Sequence, residues 1–237
     1  MSYLVKLFRA TEEENRRVIL TLLDRQPAAR LLDLGCYDGE WTMRLAQQIG
    51  TQQITGVEVV PEMAAKSRAK GIHVVEASLN QPLPLPNASF DVIHANQVIE
   101  HLYDTDRFVV EISRLLAPRG YAVISTNNLS SLHNIVSLVL GQQPPPCHVS
   151  NKVLVGNRVS PMEGESHEAA AMAHLRIFSY RALRAFLRYY GLKTEKYRTV
   201  GFYPFPVTLG RVLTSLFPIY GAFLTCKVRH AIDNQSA

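Results

Sequence analysis

Cysteine is scarce in this chain of 237 residues: Cys36, Cys147 and Cys226 lie far apart, with no Cys-x-x-Cys spacing. That excludes a disulfide framework and a cysteine-type zinc site, and it suits a reducing cytoplasm. Long apolar runs are absent too. The most apolar stretch, Val212 to Cys226, is interrupted by Pro218 and Gly221 and falls short of the roughly 20 residues needed to cross a bilayer. The first nine residues, Met1 to Arg9, are too short and too broken by charge to read as a secretory leader. Charged residues make up 19% of the chain and hydrophobic ones 47%, which excludes a disordered polymer and a multi-span membrane protein. No internal repeat occurs. The expectation is a soluble, cytoplasmic protein forming one domain over residues 1–237.

Acidic residues are nearly missing from the C-terminal third. Residues 169–237 hold 10 Lys and Arg against 2 Asp and Glu, whereas residues 1–168 hold 15 against 18. A basic segment can meet an acidic substrate, anionic lipid headgroups or nucleic acid. The plainer reading is a solvated helix face whose basic stems cover apolar surface.

What the sequence does have is alternation. Glu12–Asp24 reads as a helix with Thr11 as its N-cap, and Glu40–Ile49 as a second helix closed by Gly50. Short apolar runs at Arg30–Leu34, Ile54–Val59, His73–Glu76, Phe90–His94 and Tyr121–Ser125 read as strands. Between the last two, a helix over Asp106–Leu116 stops at Pro118-Arg-Gly120. Gln81–Pro86 is too rich in proline for a central strand. After residue 127 the rhythm breaks, a helix over roughly Ser131–Leu140 apart, until Tyr180–Tyr190, a helix followed by strands near Lys193–Val200 and Ala222–Arg229. Between these two strands, Thr208–Phe217 reads as an amphipathic helix that could lie on a membrane or close a lid over a lipid-like acceptor; with Arg211 alone on its polar side, packing in the core is the preferred reading. Strands alternating with helices imply a parallel sheet covered on both faces, with ligands outside the carboxyl ends of the strands. The stretches Asp33–Gly39, Glu58, Ser78–Asn80, Asn96–His101 and Thr126–Asn128 all fall at such ends. The irregular segment 127–178 reads as a lid or binding loop inserted after the fifth strand.

The turn Asp33-Leu-Gly-Cys-Tyr-Asp-Gly39 lacks the middle glycine of a G-x-G-x-x-G dinucleotide loop, and its two aspartates would repel a diphosphate. A nicotinamide-dependent oxidoreductase is therefore disfavoured. A cofactor with a cationic centre and no phosphate suits the acidic loop better, with Glu58 placed to bind ribose hydroxyls.

The pieces Leu31–Gly39, Gly56-Val-Glu58, Ser89–Ile93, Val98-Ile-Glu-His-Leu102 and Glu111–Ser125, in this order and spacing, resemble the class I S-adenosylmethionine-dependent methyltransferases. The resemblance implies an α/β, Rossmann-like three-layer sandwich: a seven-stranded, mostly parallel sheet with an antiparallel last strand. The core would comprise residues 28–126 and 179–230, and the lid residues 127–178. It further implies S-adenosylmethionine contacts from Asp33, Gly35, Cys36, Gly39, Glu58, Val59, Ser78, Leu79 and Asn96. The chain departs from the family at Tyr37, where glycine is common, and at Ser78, where aspartate is common.

Methyl transfer is chiefly a matter of positioning, and a general base is needed only for a hydroxyl or a protonated amine. His101, His133 and His174 are the base candidates, with His148 and His167 behind them; each also reads as an incidental loop histidine. In ubiquinone-pathway O-methyltransferases a Glu-x-x-Glu-His stretch similar to Glu100-His101 is linked to metal, but Gln97 replaces the first glutamate, and no metal site is expected. Arg176, Arg181, Arg184 and Arg188 could grip an anionic acceptor or form the outer face of a helix. The expected acceptor is a small molecule or a glycan- or lipid-linked intermediate, methylated on oxygen. Nucleic acid is not expected, peripheral membrane contact is open, and oligomeric state is not set. The alternative is a non-catalytic relative that binds the cofactor or a partner.

Overall fold

The computed structural model describes residues 3–160, 162–166 and 173–231. Seven strands form one sheet in the order β3-β2-β1-β4-β5-β7-β6. They are β1 (Arg30–Leu34), β2 (Gln53–Glu58), β3 (His73–Glu76), β4 (Phe90–Asn96), β5 (Leu116–Asn127), β6 (Leu192–Val200) and β7 (Phe223–His230). The first five pair in parallel, and β7 runs antiparallel to both β5 and β6. The expected architecture, including its antiparallel last strand, is present.

Among the described residues, seven α-helices accompany the sheet: α1 (Tyr3–Leu22), α2 (Glu40–Ile49), α3 (Pro61–Arg68), α4 (Thr105–Leu115), α5 (Leu132–Val139), α6 (Tyr180–Tyr189) and α7 (Val207–Leu216). Side chains alternate across each strand, so neighbouring residues serve opposite layers. Leu31, Val92 and Tyr121 pack on Ile19 of α1 and Leu45 of α2. Leu32, Ile93 and Ile124 pack on Phe108 and Ile112 of α4 and Leu187 of α6. Each such aliphatic side chain contributes roughly 1.5–3 kcal/mol on burial.

Three expectations need correction. The first helix begins at Tyr3, so Thr11 is no cap: it lies inside α1, and its Oγ1 donates to the Leu7 carbonyl at 2.8 Å. The stripe Leu7, Thr11, Asn15, Ile19, Leu22 keeps helical spacing on the buried side. Pro118-Arg-Gly120 does not separate helix from strand; β5 already starts at Leu116, and Pro118 and Arg119 lie exposed within it. Finally, α7 is not core. Gly210 alone is buried, against Phe202, while Val212 and Leu216 face outward.

The basic C-terminal third divides. Lys227 is buried, its ammonium paired with Asp24 and 3.9 Å from the Tyr121 ring centroid. Arg181, Arg184 and Arg188 form the exposed outer face of α6, whose Leu183 and Leu187 point inward.

Candidate active site

The turn after β1 is drawn tightly onto β2. Backbone N–H groups of Gly35 and Cys36 donate to the Val57 carbonyl at 2.9 and 3.1 Å. Close approach requires glycine on both sides: a Cβ on Gly35 would lie 2.8 Å from Val98 Cγ2, and one on Gly56 would lie 2.5 Å from Cys36 Sγ. Gly35 also has φ 81, in the left-handed region that favours glycine. Because the turn's first two amides are spent on Val57, and Asp38 accepts from the Glu40 amide at the start of α2, the loop offers little to a pyrophosphate.

Glu58 fastens two loops at once. Its Oε2 accepts from Tyr37 N–H, and its Oε1 from Val59 and Val60 N–H, all at 2.9 Å. A carboxylate has about four acceptor positions, so three amides leave room for a hydroxyl donor. Tyr37, at φ 50, is 61% exposed, and Val59 beside it is 60% exposed.

Asp33 does not face this cleft. Asp33 on β1 pairs in register with His94 on β4, so both side chains point to the α2 side of the sheet. There Asp33 Oδ1 meets His94 Nδ1 at 2.7 Å, and Oδ2 accepts from Thr42 Oγ1. The Cys36 side chain is likewise turned away, in contact with Ser67, and burial raises its thiol to about 11. At the end of β3, Ser78 Oγ accepts from Asn80 N–H, and Asn80 Oδ1 accepts from the amides of Tyr103 and Asp104. Ser78 and Leu79 are half-buried in this loop. Asn96 accepts from Asn15 of α1 at 3.3 Å, and Asn15 also binds Ser125 and Thr225.

The end of β4 carries the site's unmet polarity. Gln97 takes φ 55; its Oε1 accepts from Asn127 Nδ2 at 3.0 Å, while its buried Nε2 has no hydrogen-bond partner among the described residues. Glu100 follows on the single 3-10 turn Ile99–His101 and is fully buried. It accepts from Thr126 Oγ1 at 2.8 Å and Asn127 Nδ2 at 3.2 Å, and burial raises its carboxyl to about 7. Near neutrality this group can hold or release a proton.

The histidines separate into two groups. His101 and His174 meet with ring centroids 4.9 Å apart, and His148 stacks on His174 at 4.3 Å. Nδ1 of His101 lies 3.2 Å from the Ala173 carbonyl and Nδ1 of His174 lies 3.0 Å from the Pro146 carbonyl. Glu100, His101 and His174 each place one ligand-capable atom within 4.8 Å of the other two. Two imidazoles and a carboxylate could hold a divalent ion, although no spacing along the chain announces it. His133 belongs elsewhere: it sits against Tyr203 with ring centroids 5.0 Å apart, and burial lowers it to about 4. His167 lies outside the described residues.

Gln97, Thr126 and Asn127 fall in stretches that the strand-end rule marks, but nothing in their own spacing singles them out. His148 becomes notable only through its stacking on His174. His94 and Thr42 carry no sequence signal beyond their register opposite Asp33.

A family model described as a methyltransferase domain matches residues 7–197. A Mycobacterium tuberculosis protein described as "Probable S-adenosylmethionine-dependent methyltransferase" is 38% identical over 109 residues, which are 45% of this chain and 39% of that protein. A trans-aconitate 2-methyltransferase of Methylobacterium radiotolerans is 29% identical over 155 residues, 63% of this chain and 60% of that one. The match thus spans less than two thirds of these relatives' length. The crystal structure of a Mesorhizobium loti S-adenosylmethionine-dependent methyltransferase superposes with TM-score 0.59 at 21% identity, covering 90% of this chain and 96% of that one, a likeness of fold. No described helix is long and apolar enough to cross a membrane. With the family model covering most of its length and this fold beneath it, the chain belongs to the methyltransferase-domain family.

Proposed function

We propose that this chain transfers a methyl group from S-adenosylmethionine to an oxygen atom of an anionic small-molecule or glycan- or lipid-linked acceptor. The observation that carries the reading is the Gly35–Glu58 cleft. A turn whose amides are already satisfied lies beside a carboxylate with acceptor capacity to spare. That arrangement suits a phosphate-free cofactor with a ribose and a cationic centre. Bound there, S-adenosylmethionine would supply an electrophilic methyl on its sulfonium. The protein's own residues would do the rest. Glu58 would hold the ribose, Val59 would cover the adenine, and the Gln97 amide would donate to the acceptor or to the cofactor's methionine end.

His101 and His174, above Glu100, would orient the acceptor oxygen and take its proton where it has one. For a carboxylate acceptor no base is needed, and positioning alone supplies most of the acceleration. The trans-aconitate methyltransferase relatives favour such an acceptor. Residues 127–178 would act as the lid of a single domain.

Calorimetric titration with S-adenosylmethionine and S-adenosylhomocysteine tests the cofactor, and Glu58→Gln should weaken both at least tenfold. A labelled-methyl assay over di- and tricarboxylic acids and hydroxylated acceptors tests the reaction. A folded protein that binds neither compound would instead be the non-catalytic relative.

A further inference from the structure

The structure leaves two apolar helix faces open, on helices tied to each other through their flanking residues. Leu138, Val139 and Leu140 at the end of α5 are 59, 80 and 63% exposed; Val212, Leu216 and Phe217 of α7 and its end are 54, 66 and 50% exposed. Both helices join one surface. The amide of Leu132, at the start of α5, donates to Tyr220 just after α7, and His133 packs on Tyr203 just before it. The start of α1 reaches the same place, where Tyr3 donates to the Pro204 carbonyl at 3.1 Å. Exposed apolar helix faces of this kind mark a surface with a partner.

The charge around the patch points to which partner. Residues 112–162 contain no Asp or Glu, and neither do residues 196–231 or the first eleven. These segments build α5, α7 and the start of α1. They also bring exposed cations to the rim: Lys6 and Arg9 on α1, and Lys152 and Arg158 in the loop that closes on α5. That closure is explicit, because Asn157 Nδ2 donates to Ser137 Oγ and Arg158 N–H to Gln142 Oε1. On α7 alone, Arg211 is the single cation, and it pairs with Glu14. The basic ring therefore comes from neighbouring segments rather than from the helix itself. Carboxylates enter the rim only from outside these segments, Glu14 on Arg211 and Glu163 on the amides of Gly156 and Asn157. Apolar helix faces that carry no carboxylate of their own, with exposed cations beside them, are complementary to a bilayer with anionic headgroups.

We infer that this protein docks reversibly, through α5, α7 and the first turns of α1, on a membrane surface rich in anionic phospholipid. The inference goes beyond the methyl-transfer reading and does not depend on it.

Co-sedimentation of the full chain with vesicles tests it. With vesicles of phosphatidylcholine containing a third phosphatidylglycerol, most of the protein should pellet, at least tenfold more than with phosphatidylcholine alone. Raising salt to 0.5 M should release a large part of it. Val139→Glu and Leu216→Glu replace outward side chains, so both variants should keep the wild-type melting temperature while losing at least tenfold in vesicle partitioning. Equal partitioning to neutral and anionic vesicles, or none to either, overturns the inference. So does a dimer by light scattering that these substitutions dissociate, since a second copy would then cover the face.

Discussion

Asp33 and His94 occupy paired register positions on β1 and β4 and meet at 2.7 Å, each at most 2% exposed. Trp41 Nε1, which can only donate, points at His94 Nε2 from 3.4 Å. His94 therefore carries its proton on Nδ1 and donates it to Asp33. Removing one partner strands the other without water. Asp33→Ala should cost about 3 kcal/mol in urea unfolding, and His94→Ala a similar amount. In the double variant the losses should fall short of their sum by about 1 kcal/mol or more, because each single change already removes the shared bond. Strict additivity would show that the two side chains act independently.

The loop glycines should tolerate no side chain. In Gly35→Ala a left-handed residue gains a Cβ within 2.8 Å of Val98. Left-handed strain alone is about 1–2 kcal/mol. Gly56→Ala drives a methyl into Cys36, and the displaced turn should then lose its hold on Val57. Both variants should weaken S-adenosylmethionine binding in calorimetry by tenfold or more, and wild-type affinity in either would refute the close-packed turn.

The stability of α5 should depend on pH through His133. Burial holds this imidazole at about 4, against an ordinary 6.5. Below pH 6.5 the unfolded chain takes up a proton that the folded protein refuses until near pH 4. Stability is therefore fully present above pH 6.5 and falls as pH drops through that window, by about 3 kcal/mol in all. His133→Phe, which keeps a ring against Tyr203, should flatten this fall in urea titrations at pH 7, 6 and 5. An unchanged slope would place the acid sensitivity elsewhere.

Gln97 trades backbone comfort for a donor. Its φ of 55 is strained for a side chain, while Nε2 is buried without a partner and Oε1 holds Asn127. Gln97→Gly relieves the strain but removes both polar atoms. Thermal stability should change by no more than about 1 kcal/mol, whereas methyl transfer should fall at least tenfold, mostly in KM for the acceptor. Full activity in this variant would assign the amide to folding alone.

His101 and His174 should behave as a unit in the assay. If both handle one acceptor, single alanine variants and the double variant should lose similar activity, as groups acting in one step are non-additive. Multiplicative losses would separate their roles.

Much of this molecule was legible in the chain itself. Local periodicity and the Gly-rich turn placed the seven strands, the helices between them and the strand ends where polar residues gather, because alternation and turn chemistry act over a few neighbouring residues. Tertiary structure alone decided the partners. Asp33 reads along the chain as a residue of the cofactor loop, yet its direction depends on the register of a strand 61 residues away. His101 and His174 meet only because the segment after β5 folds back over Glu100, where the amides of Leu175 and Arg176 donate to its carbonyl. Helical periodicity gives α5 and α7 an apolar face, but whether other protein covers that face depends on packing between distant segments. Here nothing among the described residues does.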